Sequence, residues 1–308
     1  MPQWVTFVAV TGVVLVSLLV LSHLSQSAFA DGDSESAGDG RDDHPRSTDL
    51  ESIDSNSSAA ESGPHRSVPK HGEPHESEPS RDDEYGRDDR TDARGRPPSG
   101  EGVDPASLST GALLANVAIS QGLFALVLLG AVVYTGIPAD ALGIEFSRSY
   151  VEQGILWGTV AGILLYVSNE LGASVATRFG FDHDEQLREL LAPGSVQGWI
   201  VLLVLVLPII AVFEELLFRA ALIGVVSAGF DVSPWLLAVV SSIAFAVGHG
   251  IQGSVGIVVT GLLGFVLAAV FIVTGSFLVV VVAHYLINAL EFVVHERFDL
   301  EWASSLER

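Results

Sequence analysis

The chain has 308 residues, with 37 Asp or Glu against 15 Lys or Arg, a formal net charge of −22 and no cysteine. Yet 49% of it is hydrophobic, and the two facts are reconciled by segregation into a polar stretch and an apolar body, which excludes a soluble enzyme of ordinary composition. The missing thiols exclude disulfides, cysteine nucleophiles and Cys-ligated metal, and so negative a chain is a poor partner for nucleic acid.

Residues 4–22 form an apolar run long enough to cross a bilayer as one helix. It reads either as an anchor or as a secretory signal. Ala28-Phe29-Ala30 has the small-x-small form of a cleavage site, but the first four residues carry no basic side chain.

Residues 31–106 hold 21 of the acids and 9 of the bases, with almost no large apolar side chain. Such a stretch cannot bury enough surface to offset its ordering entropy, and disorder is expected. Its histidines, His44, His65, His71 and His75, are scattered and read as part of a solvated linker. Lys70 is the only lysine of the chain; scarce lysine with abundant acid fits a high-salt cytoplasm, as in halophilic archaea.

Beyond residue 107 the sequence resolves into apolar helical segments near 108–134, 152–176, 197–226, 234–249, 254–274 and 277–295. Glycine, alanine and serine recur in them and permit close helix approach in lipid. The Val279–Val282 run does not argue for a strand, because an open sheet edge cannot sit in hydrocarbon. Between 177 and 196, Leu187, Leu190 and Leu191 at helical spacing predict a short interfacial helix ending near Pro193-Gly194.

The expected architecture is therefore an all-α, polytopic transmembrane bundle of about seven spans. An anchor or signal occupies 1–24, a disordered acidic linker 25–106, the membrane domain 107–296 and a short polar tail 297–308. With seven spans, Arg94, Arg96, Arg178, Arg188, Arg297 and Arg308 share one side, and Arg148 and Arg219 the other. The positive-inside rule then sets the C-terminus in the cytoplasm and the N-terminus outside the cell membrane. A cleaved signal would instead put the linker outside, and the two readings stay open. The sequence leaves the oligomeric state open as well.

Ionisable groups inside spans are costly and mark sites or pathways. Glu214-Glu215-Leu216-Leu217-Phe218-Arg219 places Glu215 and Arg219 four apart on one helical face, suited to an ion pair. Glu214 is rotated by ~100° from its neighbour and need not share that cation, which leaves a carboxylate for general-base chemistry. Pro208 lies six residues earlier and is expected to kink or loosen the helix. His249 closes a span between Gly248 and Gly250, and His284 and Asn288 share a face of the last span. Each group alone could be structural. Together, on separate spans, they form a polar pocket with a base, hydrogen-bond donors and room for water. That inventory fits peptide-bond hydrolysis, and also proton or ion translocation.

Glu-Glu-x-x-x-Arg at 214–219, Phe-x-x-x-His at 245–249 and His-x-x-x-Asn at 284–288 resemble, in order and placement, the CPBP family: the CAAX prenyl endopeptidases of type II and the bacteriocin-processing or Abi proteins. The resemblance covers about 110–295. It implies an intramembrane endopeptidase acting on a membrane-associated or lipidated substrate, with a prenylated CAAX-type C-terminus as one class. Carried over, Glu214 activates water with His249, while His284 and Asn288 stabilise the oxyanion. Glu215, Arg219 and Phe245 support the motif. The family has been described both as glutamate-type and as metal-dependent, and Glu214, His249 and His284 could supply ligands to Zn²⁺. No His-Glu-x-x-His helix is present, and glutamate acting directly on water is the favoured reading. A non-proteolytic scaffold or immunity-type protein keeping the fold, and a transporter using the polar pocket, are the alternatives.

Overall fold

The computed structural model describes residues 1–36, 109–178, 186–249, 253–298 and 300. The acidic stretch, its four histidines and most of the C-terminal tail lie outside the described residues. Among the described residues all regular structure is helical, as it must be where hydrocarbon offers the backbone no hydrogen-bonding partner.

Among the described residues, besides a 3-10 turn at Ala139–Leu142, the helices in chain order are α1 Trp4–Ser36, α2 Thr110–Thr135, α3 Arg148–Arg178, α4 Gln186–Leu191, α5 Val196–Phe230, α6 Pro234–Gly248, α7 Gly253–Thr274 and α8 Phe277–Arg297. Six are long and apolar enough to span a bilayer, and α6 is a shorter apolar helix of 15 residues. The chain is thus an integral, multi-pass membrane protein. The expected short helix before Pro193 is present as α4.

Local chemistry sets the helix ends. Ser109, Ser195 and Ser276 accept hydrogen bonds from the backbone N–H groups of Ala112, Gly198 and Val279, capping α2, α5 and α8. Pro234 opens α6, where a missing N–H costs nothing. Gly136 takes φ +66° to stop α2.

The path of α5 is irregular. Leu202–Val206 and Leu216–Val225 are wound as π-helix, with an ordinary α-helical stretch, Leu207–Glu215, between them. Pro208 lacks an N–H and its ring crowds the carbonyl four residues back. The wide turn immediately before it absorbs that conflict. The expected loosening at Pro208 therefore takes the form of a π turn.

Two packing arrangements position the polar groups. Gly154, Gly158 and Gly162 line the face of α3 against α8. A Cβ at Gly158 would lie 2.6 Å from Val282 Cβ and 2.8 Å from the Val279 carbonyl. The absence of side chains on this stripe lets the two backbones approach. The start of α8 is tied down as well. The N–H of Phe277 donates to the Gly143 carbonyl at 2.9 Å, and that of Leu278 to the Tyr150 hydroxyl at 3.0 Å. Tyr150 in turn donates to the Gly143 carbonyl at 2.9 Å.

Helix α1 is part of the bundle. Its inward stripe, Phe7, Thr11 and Val14, is buried, and Phe7 and Val14 share a core with Phe213, Leu216, Leu217, Phe218 and Phe245. Val5, Val13, Val16 and Val20 are exposed on the opposite side, as suits a helix facing lipid. The helix continues beyond the apolar run to Ser36.

Candidate active site

Glu215 and Arg219 form the buried foundation. One helical turn apart on α5, they pair at 2.7 Å and are 0% and 1% exposed. Two charges this deep are tolerable only with several partners. Arg219 also donates from its second terminal nitrogen to the Gly264 carbonyl on α7 at 3.0 Å, and its Cζ lies 4.8 Å from the centre of the Phe245 ring. A Cβ on Gly264 would meet Phe245 at 3.0 Å, so the glycine keeps this corner open.

The same Oε1 of Glu215 receives His284 Nδ1 from α8 at 2.6 Å. A carboxylate only accepts, so this partner assigns the proton to Nδ1. The ring is thereby oriented with Nε2 toward Glu214, 3.6 Å from its Oε2. Glu215 therefore acts through His284 and Arg219, while Glu214 is left to the cavity.

His249 approaches the other carboxylate oxygen of Glu214. It follows the last turn of α6, and its Nδ1 donates to the Phe245 carbonyl at 2.8 Å. A carbonyl also only accepts, so Nε2 presents a lone pair, 3.9 Å from Glu214 Oε1. The Phe245 ring lies 4.4 Å, centroid to centroid, from the imidazole and fixes its tilt. Phe245 is itself wedged edge-on against Phe218 at 5.0 Å.

Neither oxygen of Glu214 has a hydrogen-bonding partner among the described residues. Both imidazole nitrogens stand just beyond hydrogen-bond reach, and the Glu214 side chain retains 9% exposure. A water molecule between Glu214 and His249 can donate to both acceptors. That is the arrangement needed to polarise its oxygen.

Glu214, Glu215, Arg219, Phe245, His249 and His284 are thus brought together from α5, α6 and α8. Asn288 lies one turn beyond His284, half-buried, and its amide has no hydrogen-bonding partner among the described residues. It is on the face expected, but no hydrogen bond joins it to the other groups among the described residues. Sequence reasoning missed the Gly264 carbonyl, because every residue carries one and only packing selects which is used. It also missed Tyr150 and Gly143, whose role depends on a contact across more than 120 residues.

A second polar cluster went unremarked in the sequence. His295 Nε2 lies 2.8 Å from Glu170 Oε1, Asn169 donates to Glu291 at 2.7 Å, and Arg188 reaches Glu296 at 2.8 Å and Glu291 at 3.4 Å. It joins α3, α4 and α8, and its carboxylates are matched by Arg188, His295 and Asn169. Among the described residues, Glu170, Glu291 and His295 are the group whose ligand atoms all fall within 4.8 Å of one another. Glu214, His249 and His284 do not close to that spread.

The bundle thus holds a glutamate beside two oriented imidazoles brought from separate helices. Residues 196–290 match the family model described as type II CAAX prenyl endopeptidase Rce1-like. That segment contains all seven motif residues. Neither the curated proteins nor the solved structures give a match to the chain.

Proposed function

We propose that the protein is an intramembrane endopeptidase that hydrolyses a peptide bond of a membrane-associated substrate by glutamate-activated water. The observation that carries this reading is the placing of Glu214, with no bonded partner, between the Nε2 atoms of His249 and His284. A water held by Glu214 and His249 gives a proton to the Glu214 carboxylate as its oxygen attacks the carbonyl carbon. The C=O electron pair moves onto oxygen, and that oxyanion needs N–H donors. Asn288 supplies an amide. His284 supplies Nε2–H when it is an imidazolium, since Nδ1–H is already committed to Glu215. When the tetrahedral species collapses, the C–N bond breaks and the proton on Glu214 passes to the departing amine.

The family relationship supports a lipidated, CAAX-type C-terminus as the substrate class, and the arginine distribution supports a cytoplasmic C-terminus. The test is cleavage of a pooled membrane-peptide library, including farnesylated CAAX peptides, by purified wild type and Glu214→Gln in detergent at high salt, read by mass spectrometry. Cleavage by wild type that is lost in the variant is the expected result. Equal cleavage by both removes Glu214 from the chemistry, and no cleavage by wild type tells against the protease reading. Chelator-sensitive cleavage restored by Zn²⁺ would replace direct water activation with a metal mechanism.

A further inference from the structure

We propose that Ser22, on the N-terminal helix α1, is a positioning residue for His249. The inference rests on the reading of His249 as the partner of Glu214 in holding water.

The last carbonyls of a helix have no intrahelical donor, and within a membrane bundle such groups must be satisfied by the protein. At the end of α6 three of them are. The His249 ring takes the Phe245 carbonyl at 2.8 Å, the His249 N–H takes that of Ala246 at 3.1 Å, and the Ser22 hydroxyl takes that of Gly248 at 2.6 Å. The first two bonds are made by His249 itself. The third comes from a residue 226 positions away.

The Gly248 carbonyl belongs to the peptide plane that carries the His249 nitrogen. Holding that oxygen fixes the plane, and with it the direction in which the His249 side chain leaves the backbone. Glycines flank His249 on both sides, so the local sequence imposes little stiffness of its own. To the two bonds that His249 makes within its own helix, Ser22 adds a restraint from outside it.

Helix α1 is a rigid source for it. Phe7, Thr11 and Val14 anchor it in the core, the Gln3 N–H bonds the Thr135 carbonyl at 2.8 Å, and Trp4 packs over Gly229. Leu19 approaches Gly248, within 3.8 Å of where a Cβ would stand. Hydroxyls elsewhere in the bundle, such as Thr11, Thr135, Ser168 and Ser242, bond the carbonyl four residues earlier on their own helix. Ser22 reaches across to a carbonyl of another helix, as Ser241 does to that of Phe218 at 2.6 Å. The family match begins at residue 196, so α1 brings this contact from outside the matched segment.

The experiment compares full-length wild type, Ser22→Ala, Ser22→Thr and Glu214→Gln. Cleavage of the peptide pool is followed by steady-state kinetics on the best-cut peptide. A second readout uses histidine-labelled protein in detergent, with the His249 ring resonances identified by their loss in His249→Gln. Ser22→Ala is expected to lower kcat about tenfold with KM within about twofold, as for a displaced reacting group. It should shift or broaden the His249 resonances and leave those of His284 in place. Ser22→Thr, which keeps the hydroxyl, should restore both. Wild-type kcat in Ser22→Ala, or His249 resonances superimposable on wild type, would overturn the proposal. If wild type cleaves nothing, the protease reading falls, and the resonances alone still decide whether Ser22 sets the His249 ring.

Discussion

Oε1 of Glu215 is shared: His284 Nδ1 lies 2.6 Å from it and an Arg219 nitrogen 2.7 Å. One oxygen therefore ties α8 to α5, and through Arg219 to the Gly264 carbonyl of α7. The adjacent glutamates divide the work by direction alone. Glu215 points into the packed interior and Glu214 into the space between two imidazoles.

That division predicts opposite phenotypes for the two amide substitutions. Glu214→Gln should unfold at the wild-type temperature, because Glu214 has no bonded partner among the described residues. Its turnover should fall by about 10²–10⁴-fold, the usual range for loss of a general base. Glu215→Gln should instead leave Arg219 buried without its counter-charge, at a cost of about 3–5 kcal/mol. Thermal unfolding in detergent separates the two. Equal melting temperatures would show that Glu215 is not the structural member.

The glycine stripe on α3 predicts sharp sensitivity to a single methyl. Gly158→Ala would set a Cβ 2.6 Å from Val282 and 2.8 Å from a backbone oxygen, so the helices must part. Overpacking of this kind costs about 1–3 kcal/mol. Because α8 carries His284, activity should fall along with melting temperature. Gly172→Ala, on the same helix with open space around it, is the control expected to do neither.

Tyr150→Phe removes the acceptor for the Leu278 N–H and the donor to Gly143. A loss of about 1–3 kcal/mol is expected, as for a buried group left unsatisfied. Hydrogen exchange at Leu278 should accelerate more than exchange at mid-helix positions of α8. Unchanged protection there would mean that Tyr150 does not hold the helix start.

The Glu170–His295 contact of 2.8 Å, with both side chains largely buried, is open to a double-mutant cycle. Glu170→Gln and His295→Gln should couple by about 0.5–3 kcal/mol, as residues in one network do. Additive effects would reduce the cluster to incidental proximity.

Much of this was legible in the sequence because lipid is a severe solvent. Apolar runs of sufficient length have to be helices there, so α2, α3, α5, α6, α7 and α8 begin and end within a few residues of the expected boundaries. Glu215 and Arg219 could be paired on spacing alone, since a helix turn fixes which side chains are neighbours. Less visible was anything depending on contact between helices. The π-helical winding of α5, the carbonyl of Gly264 and the cluster around Glu170 leave no mark in local composition. The N-terminal run left both an anchor and a signal open, because hydropathy measures length and not what the inward face touches.

By itself, then, the sequence determined the solvent, the helical class and the ordered residues of the site, because hydropathy and helical period are properties of the chain. Only the tertiary structure decided which glutamate faces His249 and His284 and which is locked to Arg219. It also decided that His249 and His284 present Nε2 to the site, and that α1 reaches the end of α6. Those outcomes depend on hydrogen bonds between residues tens to hundreds of positions apart, whose partners are chosen only when the helices pack.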